Sequence, residues 1–265
     1  MTDYSSLIYE TVGPVARIWL NRPAQRNAQD TALLTELDQA MTRAQADEGV
    51  RVIILAGKGA HFSAGHDLKS AENDGQGYSV EERYAFEKKY YFDTAMRFWD
   101  SPKPTIAAVQ GACVAAGFML ANMCDLVVVA DDAFFSDPVV NLFGAVAVEV
   151  LVHPQVLGMR KAKDLLFTGR RMGAQEALDC GMASRLVPVA ELESATLELA
   201  NQIAKAPPFA LKLVKRSLHR TLDLQGFRAG LDAHFDSHQL GHVSNEFAEK
   251  TRAGLTGVLA KKPGA

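Results

Sequence analysis

The stretch Lys103 to Pro138, KPTIAAVQGACVAAGFMLANMCDLVVVADDAFFSDP, leaves the chain few ways to fold. An apolar run, Thr105–Val109, stops at Gln110-Gly111. Small residues Ala112, Ala115, Ala116 and Gly117 then lead into Phe118, Met119, Leu120 and Met123, and a second apolar run covers Asp125–Ala130. The pattern predicts strand, tight turn, buried helix, strand. Small residues at the turn allow a close approach of backbone or ligand and leave the first N–H groups of the helix unblocked. Such a helix start can stabilise a developing negative charge. Read alone, the stretch is equally a buried helix packed on a sheet.

The flanking sequence extends the alternation. Val15–Leu20 reads as a strand ended by Asn21-Arg22-Pro23, and Asp30 is placed to cap a helix carrying Leu33, Leu34, Leu37 and Met41. Val50–Leu55 reads as a buried strand running into the glycine-bearing loop Ala56 to Asp67. Residues 70–79 predict a polar loop, and Val80–Trp99 an aromatic-rich helix that is either core or pocket wall. Beyond residue 140 the pattern is almost entirely helical: Lys161–Phe167, Ala174–Cys180, Leu192–Lys205 and Phe209–His219, then an amphipathic stretch over 224–253 suited to packing on a neighbouring domain or subunit. Strand and helix in alternation predict an α/β fold with parallel crossovers. We divide it into a core over residues 1–200 and a helical C-terminal region over 201–265, with Lys261-Lys262 in a solvated tail.

Composition narrows the function. With 48% hydrophobic and 22% charged residues, the chain of 265 can bury a core. A formal charge of −3 offers no general attraction to nucleic acid or to an anionic membrane. Cys113, Cys124 and Cys180 form no CxxC and sit in apolar company, so they read as reduced core thiols, not as a metal site or disulfide framework. The start MTDYSSLIYE lacks a basic segment before an apolar one, and Leu142–Val152 is too short to span a bilayer, so a cytoplasmic protein is expected.

Four stretches in order and spacing carry a resemblance: Leu20-Asn21-Arg22-Pro23 with Arg26-Asn27-Ala28, Phe62 to Leu68 (FSAGHDL), Ala107 to Asp125, and Phe167-Thr168-Gly169. Together they resemble the crotonase superfamily of enoyl-CoA hydratases and isomerases across essentially the whole chain. The resemblance implies a spiral of ββα units with a helical C-terminal region, assembled as a trimer or hexamer. It implies an acyl-CoA thioester as partner, with coenzyme A entering as part of the substrate and no metal or other cofactor. It implies a backbone oxyanion hole, which by position falls to the N–H groups of His66 and Ala116. It also implies CoA binding by Arg26, Ala28, Ala64, Asp67 and Leu68, although Asp67 reads equally well as a helix cap.

The chain departs from the hydratase pattern. Where the resemblance leads one to expect two water-activating glutamates, this sequence has Met119 and Val139, which cannot accept a proton. Glu149 interrupts the otherwise uncharged Ala145–Val152, near the position where dienoyl-CoA isomerases and a CoA-thioester dehalogenase of the superfamily place a catalytic aspartate. It is the candidate acid–base residue, and His153, four residues on and on the same face if the segment is helical, is a weaker one. The bland alternative pairs Glu149 with His153 or a basic residue as a structural contact; a Glu-x-x-x-His metal half-site has no further ligands to support it. Asp137 reads as a cap or turn before Pro138. One carboxylate suits isomerase or specialised lyase chemistry better than hydration, and the alternative is a non-catalytic acyl-CoA-binding or assembly protein.

Overall fold

A computed structural model describes residues 4–70 and 78–250. Most of the loop expected over 70–79, the end of the 224–253 stretch and the tail Lys261-Lys262 lie outside the described residues.

The principal sheet has six strands: β1 (Leu7–Val12), β2 (Val15–Leu20), β3 (Val52–Gly57), β4 (Thr105–Val109), β6 (Leu126–Ala130) and β9 (Arg185–Val187), in that spatial order. The β1–β2 hairpin is antiparallel and the remaining pairs are parallel. β3 and β4 are buried along their whole length because both faces are covered. On one face Ile53, Leu55, Ala107 and Val109 join the main core; on the other, Val52, Ile54, Ile106 and Ala108 meet Leu192, Leu199 and Ala200. A smaller sheet joins β5 (Ala112–Val114), β7 (Phe134–Ser136) and β8 (Met172–Gly173). β4 runs into β5 and β6 into β7, so each repeat gives one strand to each sheet before its helix. Between β4 and β5 the chain turns at Gly111, where φ is +53° and a Cβ would sit 2.0 Å from Ala60 O. No other residue fits that corner.

Helix α1 (Thr31–Ala46) is capped by Asp30, whose carboxylate accepts from Leu33 N at 2.9 Å, and it buries Leu33, Leu34, Leu37 and Met41. The expected helix Val80–Trp99 is three pieces: α2 (Val80–Glu87), a π turn (Lys88–Phe92) and α3 (Asp93–Trp99). α4 (Ala116–Asn122) is buried throughout. After it come α5 (Val139–Phe143), a 3-10 turn (Val148–Leu151), α6 (His153–Leu157), α7 (Met159–Thr168) and α8 (Ala174–Asp179). Residue 200 falls inside α9 (Leu192–Ala204), which covers the second face of the large sheet. The late part of the chain also holds β8 and β9, strands too short and too half-buried to show as apolar runs.

Two longer helices follow, α10 (Pro208–Leu224) and α11 (Phe227–Gly241), and the described residues end in a helical segment over 245–250. Lys215 ties α10 to its own core: its ammonium reaches Asp125 Oδ2 at 2.8 Å and the carbonyls of Phe98 and Lys103. α11 buries Phe235 between Tyr84 of α2 and Phe92 of the π turn, at ring distances of 4.9 and 5.3 Å.

Candidate active site

Two loops and a helix start build the first half of the site. Arg26 and Asn27 adopt left-handed φ values of 54° and 52°. Buried Asn27 holds that turn, accepting from Arg22 N at 2.9 Å and donating to the carbonyls of Lys58 and His61. Backbone hydrogen bonds then zip the turn to the second loop: Ala64 N to Arg26 O, Gln29 N to Gly65 O, and Asp67 N to Gln29 O. These bonds bring Arg26, Ala28, Ala64 and Asp67 together, with Leu68 beside them, although they lie far apart in sequence. Arg26 is exposed, Ala28 buried, and Ala64 and Leu68 half-buried.

Asp67 is committed twice. One carboxylate oxygen accepts from the backbone N–H of Lys69 and Ser70, as a cap does, and the other lies 2.9 Å from Arg22 Nη2. Arg22 also pairs with Asp30 at 2.9 Å, so a single guanidinium joins the loop, the cap of α1 and Asp67.

The second loop rests on the start of α4. Gly65 has φ +83°, and a Cβ there would lie 2.8 Å from Val114 O and 3.4 Å from Ala116 N. Gly117 sits so close to Ser63 that a Cβ would meet its side chain and carbonyl at 2.8 Å. Ala115 turns the chain with φ 48° and ψ −119°, and its N–H is taken by Ser136 O. Ala116 then opens the helix. Among the described residues, neither the His66 N–H nor the Ala116 N–H donates to a protein acceptor. The arrangement therefore presents two unspent backbone donors from segments in contact.

The His66 side chain faces elsewhere. Its ring stacks on Tyr91 at 3.6 Å and 15°, and Nε2 lies 3.6 Å from Glu87 Oε2. Burial acts to raise the Glu87 carboxyl, but the imidazoles of His238 and His66 outweigh it and hold the group well below the usual range.

The second half of the site is acidic. Glu149 lies in the 3-10 turn, 2% exposed, and no cation pairs with it among the described residues. Burial, with the nearby charge of Asp137, pushes its carboxyl well above the ordinary value. His153 does not pair with Glu149. The helical face assumed from their spacing breaks between the 3-10 turn and α6, and His153 Nε2 instead lies 3.1 Å from Asp137 Oδ2. Asp137, read as a cap, does lie within 3.4 Å of Val139 N, but it is also buried and bound to His153. The His153 ring stacks on Phe118 at 4.4 Å, linking this acidic cluster to the helix that Ala116 opens. From the other side α11 holds the segment: His238 Nδ1 donates to Val146 O at 2.6 Å and His234 Nε2 to Ala147 O at 2.9 Å. Met119 is buried in α4 and Val139 half-buried at the start of α5.

Reading the sequence did not single out Glu87, His238 or His242. The signals were a glutamate set between the aromatic residues Phe86 and Tyr90 and a His-x-x-x-His spacing at 238 and 242. Neither has meaning until α2 packs on α11.

The fold and these paired loops define a class. The chain matches the enoyl-CoA hydratase/isomerase family model over residues 10–262, and it belongs to that family. An enoyl-CoA hydratase/isomerase from Xanthobacter autotrophicus Py2 superposes with a TM-score of 0.89 at 37% identity, covering 99% of this chain and 100% of that one. EchA13 of Mycobacterium tuberculosis, named as a candidate enoyl-CoA hydratase, is 43% identical over 260 residues, 91% of this chain and 82% of that protein. A 4-chlorobenzoyl coenzyme A dehalogenase from Arthrobacter sp is 33% identical over 218 residues, 82% of this chain and 78% of that protein. The protein is thus an enzyme of the hydratase/isomerase type with the spiral ββα fold.

Proposed function

We propose that the protein moves a proton on an acyl-CoA thioester by way of an enolate. The thioester oxygen is held by the N–H groups of His66 and Ala116, and Glu149 carries the proton. The observation that bears the most weight is Glu149 itself: a carboxyl buried with no cation paired to it among the described residues, whose raised proton affinity suits a group that takes a proton and returns it. The two unspent donors supply the electrostatic part. An oxyanion donor of this kind is typically worth about 3 kcal/mol. Enolate stabilisation by backbone donors calls on no metal, and coenzyme A enters with the substrate.

CoA recognition falls to the two zipped loops, through Arg26, Ala28, Ala64 and Leu68. Asp67, engaged by Arg22, contributes by holding the loop in shape. A dehalogenase named for a coenzyme A thioester among the relatives supports that substrate class. Met119 and Val139 stand where hydratases of this type are expected to carry glutamates, so we assign isomerisation or a specialised lyase step in preference to hydration. Three free cysteines suit a reducing compartment such as the cytoplasm.

The test is Glu149→Gln, which keeps shape and hydrogen-bonding capacity but removes the titrating group. Exchange of the α-proton of bound acyl-CoA in deuterated water should fall by roughly 10² to 10⁴. Affinity for the thioester, measured by calorimetry, should stay near that of the wild type. An unchanged exchange rate overturns the assignment.

A further inference from the structure

Apart from the oxyanion loops, the structure gathers a second set of groups that the chemistry above does not use. Glu87 ends α2 and is 3% exposed, and His238 of α11 is 5% exposed. His238 and His242 stand one helical turn apart at the end of α11, so their rings share a face. One donor atom from each of Glu87, His238 and His242 lies within 4.8 Å of those of the other two. Glu87 Oε2 and His238 Nε2 are 3.8 Å apart, too far for a hydrogen bond. Among the described residues, no hydrogen-bond partner is found for buried Glu87 Oε2, His238 Nε2 and His242 Nδ1. Buried polar atoms are nearly always satisfied, so unpartnered atoms on three neighbouring side chains ask for a common partner.

We propose that Glu87, His238 and His242 form a binding site for a divalent transition-metal ion of the zinc type. Two imidazole nitrogens and a carboxylate oxygen are the donors such an ion takes. Metal–ligand bonds of about 2.0–2.2 Å place tetrahedral donors about 3–4 Å from one another, so the observed separations need only a small inward adjustment. The surrounding contacts set the ligands for this role. His238 Nδ1 donates to Val146 O, which fixes the ring with Nε2 turned toward Glu87. Glu87 Oε1 is held by Arg83 Nη2 at 3.2 Å, which turns Oε2 toward the histidines. His66 Nε2, 3.6 Å from the same Glu87 oxygen, is a further donor within reach.

The experiment uses the full-length protein stripped with chelator and titrated separately with ZnCl2 and CoCl2. Calorimetry should give one ion per chain, Co2+ should produce the visible absorption of a nitrogen-ligated ion, and Zn2+ should raise the melting temperature. His242→Phe and Glu87→Gln should each weaken binding by more than the 10–100-fold typical of an outer-shell partner and abolish the thermal shift. If Glu87→Gln fails to fold, the half-buried His242→Phe decides the question. Absence of saturable binding, or binding unchanged in His242→Phe, overturns the site.

Discussion

His153 Nε2 lies 3.1 Å from Asp137 Oδ2, and neither residue exposes more than 1% of its surface. The pair closes on itself inside the protein. Asp137 is a negative neighbour of Glu149, while the His153 imidazole is engaged by Asp137 and does not pair with Glu149. Its charge and the burial of the segment act in the same direction on Glu149.

The pH profile follows from that arrangement. A base must be deprotonated to act, so turnover should rise with pH as Glu149 loses its proton. Asp137→Asn removes the charge that favours the protonated form, and the acid limb of the rate profile should move to lower pH. The substitution also disturbs a buried hydrogen bond to His153, and a buried polar group left unsatisfied costs about 1–3 kcal/mol, so a lower melting temperature is expected as well. A pH–rate series on the two proteins checks the first point. An acid limb that does not move would mean that Asp137 does not act on the catalytic group.

Glu149 should also cost the fold stability as pH rises. The folded state keeps this carboxyl protonated to a higher pH than the unfolded chain, whose ordinary value is 4.5. Between those two values the folded state binds more protons, so stability falls with increasing pH. Glu149→Gln lacks this dependence. It should melt higher than the wild type at neutral pH, with the gap closing as pH drops below 4.5. In a chain of this size each kcal/mol is worth about 2–4 °C. Thermal melts from pH 4 to 8 decide it, and a gap independent of pH would contradict the shifted titration.

Gly65 permits a third test. An alanine there faces both a left-handed φ of +83° and a carbonyl 2.8 Å from its Cβ, so the loop must move away from Val114 and Ala116. If His66 and Ala116 donate to one oxygen, parting them should lower turnover by about 10² to 10³, the usual cost of one oxyanion donor. CoA affinity, which the proposed function places on the other side of the loop, should change less. Steady-state kinetics with calorimetry separates the two effects, and full activity in Gly65→Ala would remove the oxyanion assignment.

The residues that could be read in advance share a physical trait. Thr105–Val109 is apolar throughout because it is covered on both faces, and such a run declares itself without tertiary information. β1 did not, because an edge strand carrying Glu10 and mostly half-buried or exposed residues has no such pattern; its register against β2 defines it. Glu149 stood out as a single charge in an apolar run. Its neighbourhood did not, since Asp137 precedes it by a helix and a turn, and a 3-10 segment separates it from His153. The π turn after Glu87 likewise left no mark that distinguishes it from the helix expected there.

The last prediction concerns assembly. Helix α10 leaves Phe209 70%, Val214 57% and Leu218 63% exposed, and Leu240 of α11 is 70% exposed. Phe209 and Leu213, and Val214 and Leu218, form two neighbouring i,i+4 pairs over the half of α10 that does not hold Lys215, which faces the core. Large apolar side chains over the outer half of a helix pinned from the other side suit burial against another copy of the chain, in the trimer or hexamer that the sequence led us to expect. Sedimentation velocity at micromolar concentration should give that assembly. Phe209→Glu with Leu218→Glu introduces charges that cannot be buried unpaired and should shift the distribution toward monomer while the far-UV circular dichroism is retained. A wild type that sediments as a monomer, or a double variant that assembles normally, would place the contact surface elsewhere.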